Sequence, residues 1–147
     1  MSWSVGSGLA SDVLSLTGID GDLFVLMMSY NPASLPAPEA SLAAAGLLLL
    51  TVEDPNPTPH WVNAIDLNHG PNVGAANVQG AWSGQLALGT WGVDIVANNV
   101  WAVLDHNSNF SASFFTPVPE SASWMGGVPL LALCLVLRRK FGANSTR

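Results

Sequence analysis

Lysine and arginine are missing from the first 137 of the 147 residues, whereas all ten aspartates and glutamates lie among the first 120. A body without a fixed cation has nothing to neutralise phosphates, which excludes nucleic acid as a partner and disfavours acidic substrates. Cysteine is limited to Cys134, so no intrachain disulfide forms. Inside its apolar run that thiol reads as a small hydrophobe. Lipid attachment is set aside, because a bulky Leu133 precedes the cysteine and the position is at the wrong end of the chain. The opening MSWSVGSGLASD has neither the basic stretch nor the apolar run of a secretory leader. HExxH, cysteine–histidine ligand spacings, a GxSxG elbow and a glycine-rich phosphate loop are all lacking, so motifs indicate no metal, cofactor, nucleophile or nucleotide chemistry.

What is present is a body of short β-prone runs punctuated by turn residues, the pattern of a small antiparallel β domain, read as a β-sandwich, over residues 1–116. Strands are predicted over 12–17, 24–30, 47–52, 61–65, 86–94 and 100–105. The last two flank Val96-Ala97-Asn98-Asn99 and predict a hairpin, since asparagine tolerates the positive φ such turns need. One short helix is predicted over EASLAAAG, residues 39–46, with an acid in its first turn and Gly46 at its stop. The stretch 53–59 holds three prolines, which lack the ladder donor, and is predicted to loop between two strands. A second long loop, rich in asparagine and glycine, is predicted over 66–80.

Residues 117–121 form a linker into an uncharged apolar run, 122–137, which is followed at once by Arg138-Arg139-Lys140. At about 1.5 Å per residue the run spans roughly 24 Å as a helix, close to the hydrocarbon thickness of a bilayer. Trp124 stands where an interfacial aromatic would, Pro129 is tolerated in a membrane helix, and the segment is apolar all round. A transmembrane helix over 122–137 is therefore expected, with membrane lipid as a partner. The basic residues 138–147 would be cytoplasmic and the body extracytoplasmic, at the cell envelope or surface.

Val118-Pro119-Glu120, then a short apolar helix, then Arg138-Arg139-Lys140 resembles the PEP-CTERM sorting signal of exported bacterial proteins. That resemblance implies processing near Pro119-Glu120 by exosortase, an integral-membrane enzyme, in bacteria that make extracellular polysaccharide. Ser121 stands where the family motif carries its second proline. Across about residues 9–110, the segments LASDVLSLTG, FVLMMSY, EASLAAAGLLLL, HWVNAI and GTWGVD…NNVWAVLDHNS resemble the C-terminal β domain of PEP-CTERM proteins with autotransporter-associated β-strand repeats. The resemblance implies that the chain is the C-terminal part of a longer exported protein, with no catalytic residues assigned.

Three further chemistries are open to the body. Trp61, Trp82, Trp91 and Trp101 form either a carbohydrate-stacking face or part of the core. Asp66, His69, Asp105 and His106, with His60, Glu53 and Asp54, are the acids and imidazoles from which a metal or hydrolase site would be built. Asp20-Gly21-Asp22 begins like a calcium loop, but Leu23-Phe24-Val25 replaces the oxygen ligands that would have to follow, so a plain turn is expected. The leading expectation is a non-enzymatic surface or envelope protein. A carbohydrate-binding module is the alternative, with a cell-surface hydrolase behind it.

Overall fold

The computed structural model describes residues 8–116, and the chain divides into units at 1–117 and 118–147. The expected sorting residues Val118, Pro119 and Glu120, the helix 122–137 and the basic cluster lie outside the described residues. Among the described residues no helix is long and apolar enough to cross a membrane.

The body is mainly β. Strands β1 (Gly8–Leu9), β2 (Leu14–Ser15), β4 (Leu48–Asp54), β5 (His60–Asn63) and β9 (Asn109–Phe114) make one sheet. Its order is β1-β9-β4-β5, with β2 also on β9. Strands β3 (Phe24–Ser29), β8 (Asn99–Leu104), β7 (Trp91–Asp94) and β6 (Val78–Gln79) make a second sheet in that order. All pairings are antiparallel except the two-residue β6–β7 ladder.

The register explains how the core is shared. Leu48, Leu50 and Val52 pair with Phe114, Ala112 and Phe110, so all six side chains stand on one face of the first sheet. Trp91, Val93, Val100, Ala102 and Leu104 share one face of the second sheet and join the same hydrophobic cluster. On the opposite face of the first sheet Thr51, Ser111 and Ser113 are also fully buried. The Thr51 hydroxyl donates to the Ser111 carbonyl at 2.9 Å and lies 2.6 Å from the Ser113 hydroxyl. Burial of such hydroxyls is tolerable only when they are bonded, and among the described residues no buried side-chain nitrogen or oxygen lacks a partner.

The helix α1 (Glu39–Ala44) is too short to stand on propensity. Leu42 and Ala43 anchor it in the core, and Gly46, at φ +68°, ends it while the Leu47 amide donates back to the Leu42 carbonyl at 2.8 Å. The phenol of Tyr30 donates to the Glu39 carboxylate. Burial first, and then that carboxylate, raise the Tyr30 pKa above the ordinary phenol range. In the hairpin β7–β8, Asp94 Oδ1 accepts from the amides of Val96 and Ala97, and Asn98 takes φ +52°.

Several predicted boundaries shift. The run 12–17 is a strand only at Leu14–Ser15, and 86–94 only from Trp91. The strand at 61–65 starts at His60 and turns into a 3-10 helix at Ala64–Leu67, whose first turn is capped by Asn63. The loop 66–80 contains β6. Strand β9, at the centre of the first sheet, was not anticipated. Its polar sequence NFSASF becomes a strand because β4 and the β1–β2 edge pair with it on both sides.

Trp101 stands on the outer face of the second sheet yet is only 1% exposed. Its indole donates to the Gly80 carbonyl at 2.9 Å, so the long loop covers it. A Cβ at Gly92 would lie 2.2 Å from the Val78 carbonyl oxygen and 2.8 Å from the Trp101 ring. Gly92→Ala is therefore expected to destabilise the fold by about 1–3 kcal/mol, read as a lower urea midpoint with an unchanged slope.

Candidate functional site

The acid and imidazole candidates separate into two places. Asp105 and His106 follow β8 directly, and the preceding strand carries both into the interior. The Asp105 carboxylate accepts the backbone amides of His69 and Gly70, at 2.9 and 3.0 Å. The Asp105 amide donates to Asn68 Oδ1 at 3.3 Å, and its carbonyl accepts from Gly21. Both oxygens of this carboxylate are thus occupied in pinning the backbone at residues 69 and 70. His106 Nε2 donates to the Ala64 carbonyl at 2.9 Å, and its ring lies 5.4 Å from Phe110. The His69 ring sits edge-on to His106 at 6.4 Å, while its Nε2 lies 3.9 Å from Asp20 at the exposed surface.

A hydrolytic dyad needs a carboxylate orienting an imidazole whose other nitrogen meets a nucleophile. Here the carboxylate holds amides and the buried imidazole holds a carbonyl, so Asp105 and His106 serve the architecture. The turn 19–22 closes through the Asp22 amide on the Ile19 carbonyl, with Gly21 at φ +89°, and Asp20 accepts the Asn107 amide. The Asp20-Gly21-Asp22 run is the expected turn. Among the described residues no group of three or more metal-binding side chains converges.

Trp61, Trp82, Trp91 and Trp101 do not share a face. Trp101 is buried on the outer face of its sheet, and Trp91, one register position away across from Ala102, is 8% exposed on the core face. Trp82 lies in the long loop, its indole donating to the Gln85 carbonyl at 2.9 Å. Trp61, half-buried, belongs to the other sheet. A stacking platform built from all four is therefore not formed.

Trp61 and Trp91 do meet at one feature, a cleft of about 680 Å³ beside the edge strand β5. All four residues of β5 line it, together with Thr58, Pro59 and Asp66. The His60 ring is fixed because Nδ1 donates to the Thr58 carbonyl at 2.8 Å, which leaves Nε2 4.0 Å from the Asp54 carboxylate. Asn63 directs Oδ1 to the Ile65 amide at 3.3 Å, which starts the turn that carries Asp66 to the cleft. The Asp66 carboxyl is held above its ordinary value, chiefly by desolvation, with a backbone hydrogen bond at Asn63 opposing. The arrangement suits an uncharged ligand with hydroxyls, since aromatic surface, carboxyl, amide and hydroxyl stand together and the described residues include no lysine or arginine.

No family model, curated protein or solved structure matches this chain. The cleft is thus read from its chemistry alone. Sequence reasoning singled out His60, Trp61, Asp66 and Trp91 separately and missed Asn63 and Thr58. The only signal for these two was their position, Thr58 in the proline loop and Asn63 at the end of the short strand that follows it.

Two outcomes follow from these environments. Asp105→Asn keeps one acceptor oxygen where two are needed, and should lower stability by about 1–3 kcal/mol in urea denaturation. For Asp66 the folded pKa lies above the ordinary 3.8, so the folded state binds more protons between the two values. Its contribution to stability is therefore lost as pH rises from 3.8 through the folded pKa. Urea midpoints measured from pH 3 to pH 6 should rise for Asp66→Asn relative to the parent across that window, and the two should differ least at pH 3.

Proposed function

We propose that the chain is a non-enzymatic surface or envelope protein whose β body is cargo for a PEP-CTERM-like C-terminal sorting tail. The observation that carries the proposal is the sequence order at 117–140: the Val118-Pro119-Glu120 motif, an uncharged apolar segment, then Arg138-Arg139-Lys140. The chain divides after residue 117, one position before that motif. Near the end of the described body the Phe115 amide donates to the Leu47 carbonyl at 2.8 Å.

In this proposal Trp124, Pro129 and Cys134 belong to a segment that holds the chain in membrane lipid, and the basic cluster stops its transfer. An exosortase-type enzyme is the partner, and Glu120 is the recognition residue. Nucleic acid is no partner, because fixed positive charge is confined to the last ten residues.

The test is intact mass and membrane fractionation of the chain, carried behind an export signal, in hosts with and without an exosortase. The expected outcome is loss of the 122–137 segment from the mature product only in the exosortase host, with Glu120→Ala abolishing that loss. A full-length, membrane-bound product in both hosts would overturn the sorting role.

A further inference from the structure

We propose that the cleft beside β5 is a binding site for a neutral saccharide, which stacks on Trp61 and hydrogen-bonds to Asp66 and Asn63. Four observations converge on that ligand class. First, the volume of about 680 Å³ is that of a ligand cleft rather than a packing gap, within the usual range of about 300–1,000 Å³. Second, Trp61 is only partly buried on an edge strand, where an indole offers an apolar ring face to the C–H face of a sugar while Trp91 supplies a buried wall.

Third, the polar side chains among the walls are the Asp66 carboxyl, the Asn63 amide, the Thr58 hydroxyl and the His60 imidazole, a set that can both donate to and accept from vicinal hydroxyls. Asp66 is exposed among the cleft walls, so its carboxylate is open to a donating sugar hydroxyl. Fourth, charge selects against the competing ligand class. No lysine or arginine occurs before residue 138, and Asp66 lines the cleft with Asp54 beside His60, so an anionic polysaccharide would meet carboxylates and no fixed cation of the described residues. A peptide adding to the edge of β5 would find only four strand residues, with Pro59 unable to extend the ladder.

The inference does not depend on the sorting tail, because an unprocessed chain carries the same cleft. The experiment is affinity electrophoresis of the full chain in mild non-ionic detergent, through gels containing laminarin, dextran, galactomannan or alginate. At least one of the three neutral polysaccharides should retard the protein, and the anionic alginate should not. Trp61→Ala should weaken the retardation about ten-fold. Trp82→Ala, whose side chain is not among the cleft walls, should leave it unchanged. Because Trp61 also packs on its sheet, Asp66→Asn, at an exposed position, provides a second variant that should fold normally and weaken binding about three-fold or more.

Retardation by none of the neutral polysaccharides would overturn the proposal. So would equal retardation by alginate, or a loss for Trp82→Ala as large as that for Trp61→Ala. Unchanged binding in Asp66→Asn together with unchanged binding in Trp61→Ala would do the same. None of these outcomes bears on whether the tail is processed.

Discussion

The antiparallel pairing of β4 with β9 is the contact around which the body is organised. It joins residues about 60 positions apart, and the edge formed by β1 and β2 then adds to β9 from about 100 positions away. Closing such long loops costs entropy that local propensity cannot repay. The return comes from burying both faces at once. Leu48, Leu50, Val52, Phe110 and Ala112 fill the space between the sheets, while Thr51, Ser111 and Ser113 satisfy one another on the far side. A larger side chain at either serine would have to be accommodated where nothing is exposed.

A second constraint governs the asparagine- and glycine-rich loop between residues 64 and 90. Such a segment has little apolar surface with which to hold itself, so its position is fixed by polar anchors on the sheet beneath it. Asp105 grips the amides of His69 and Gly70, Asn68 returns the bond, and Trp101 ties down Gly80. The residues that look most chemical in the sequence are here spent on backbone. Two amides in fixed geometry satisfy the buried Asp105 carboxylate, and the buried His106 imidazole satisfies the Ala64 carbonyl.

The cleft is a consequence of where the sheet stops. Strand β5 is short, is preceded by a proline loop and leads straight into a capped 3-10 turn, so nothing extends the sheet beyond it within the described residues. The side chains of β5 and of the turn then gather at an edge instead of disappearing into a core. An exposed edge is a hazard for association, and its brevity and flanking proline blunt that hazard. The same features leave an aromatic and polar surface available for a ligand.

Local chemistry was enough to make the body mainly β, to set the hairpin at Asp94–Asn99 through the αL tolerance of Asn98, and to start and stop the helix with Glu39 and Gly46. The same holds for the charge asymmetry, which depends on counting alone. Strand β9 was out of reach, because NFSASF has weak strand character until two neighbours pair with it. The division of the tryptophans was equally hidden: Trp91 and Trp101 both lie on strands, and only the register decides that one faces the core and the other the loop. Tertiary pairing likewise decided that Asp105 would hold amides and that Trp61, Asn63 and Asp66 would share a cleft. Turns and helix ends are set by residues a few positions apart, whereas faces, partners and clefts are set by registers between strands tens of residues apart, which no short window of sequence contains.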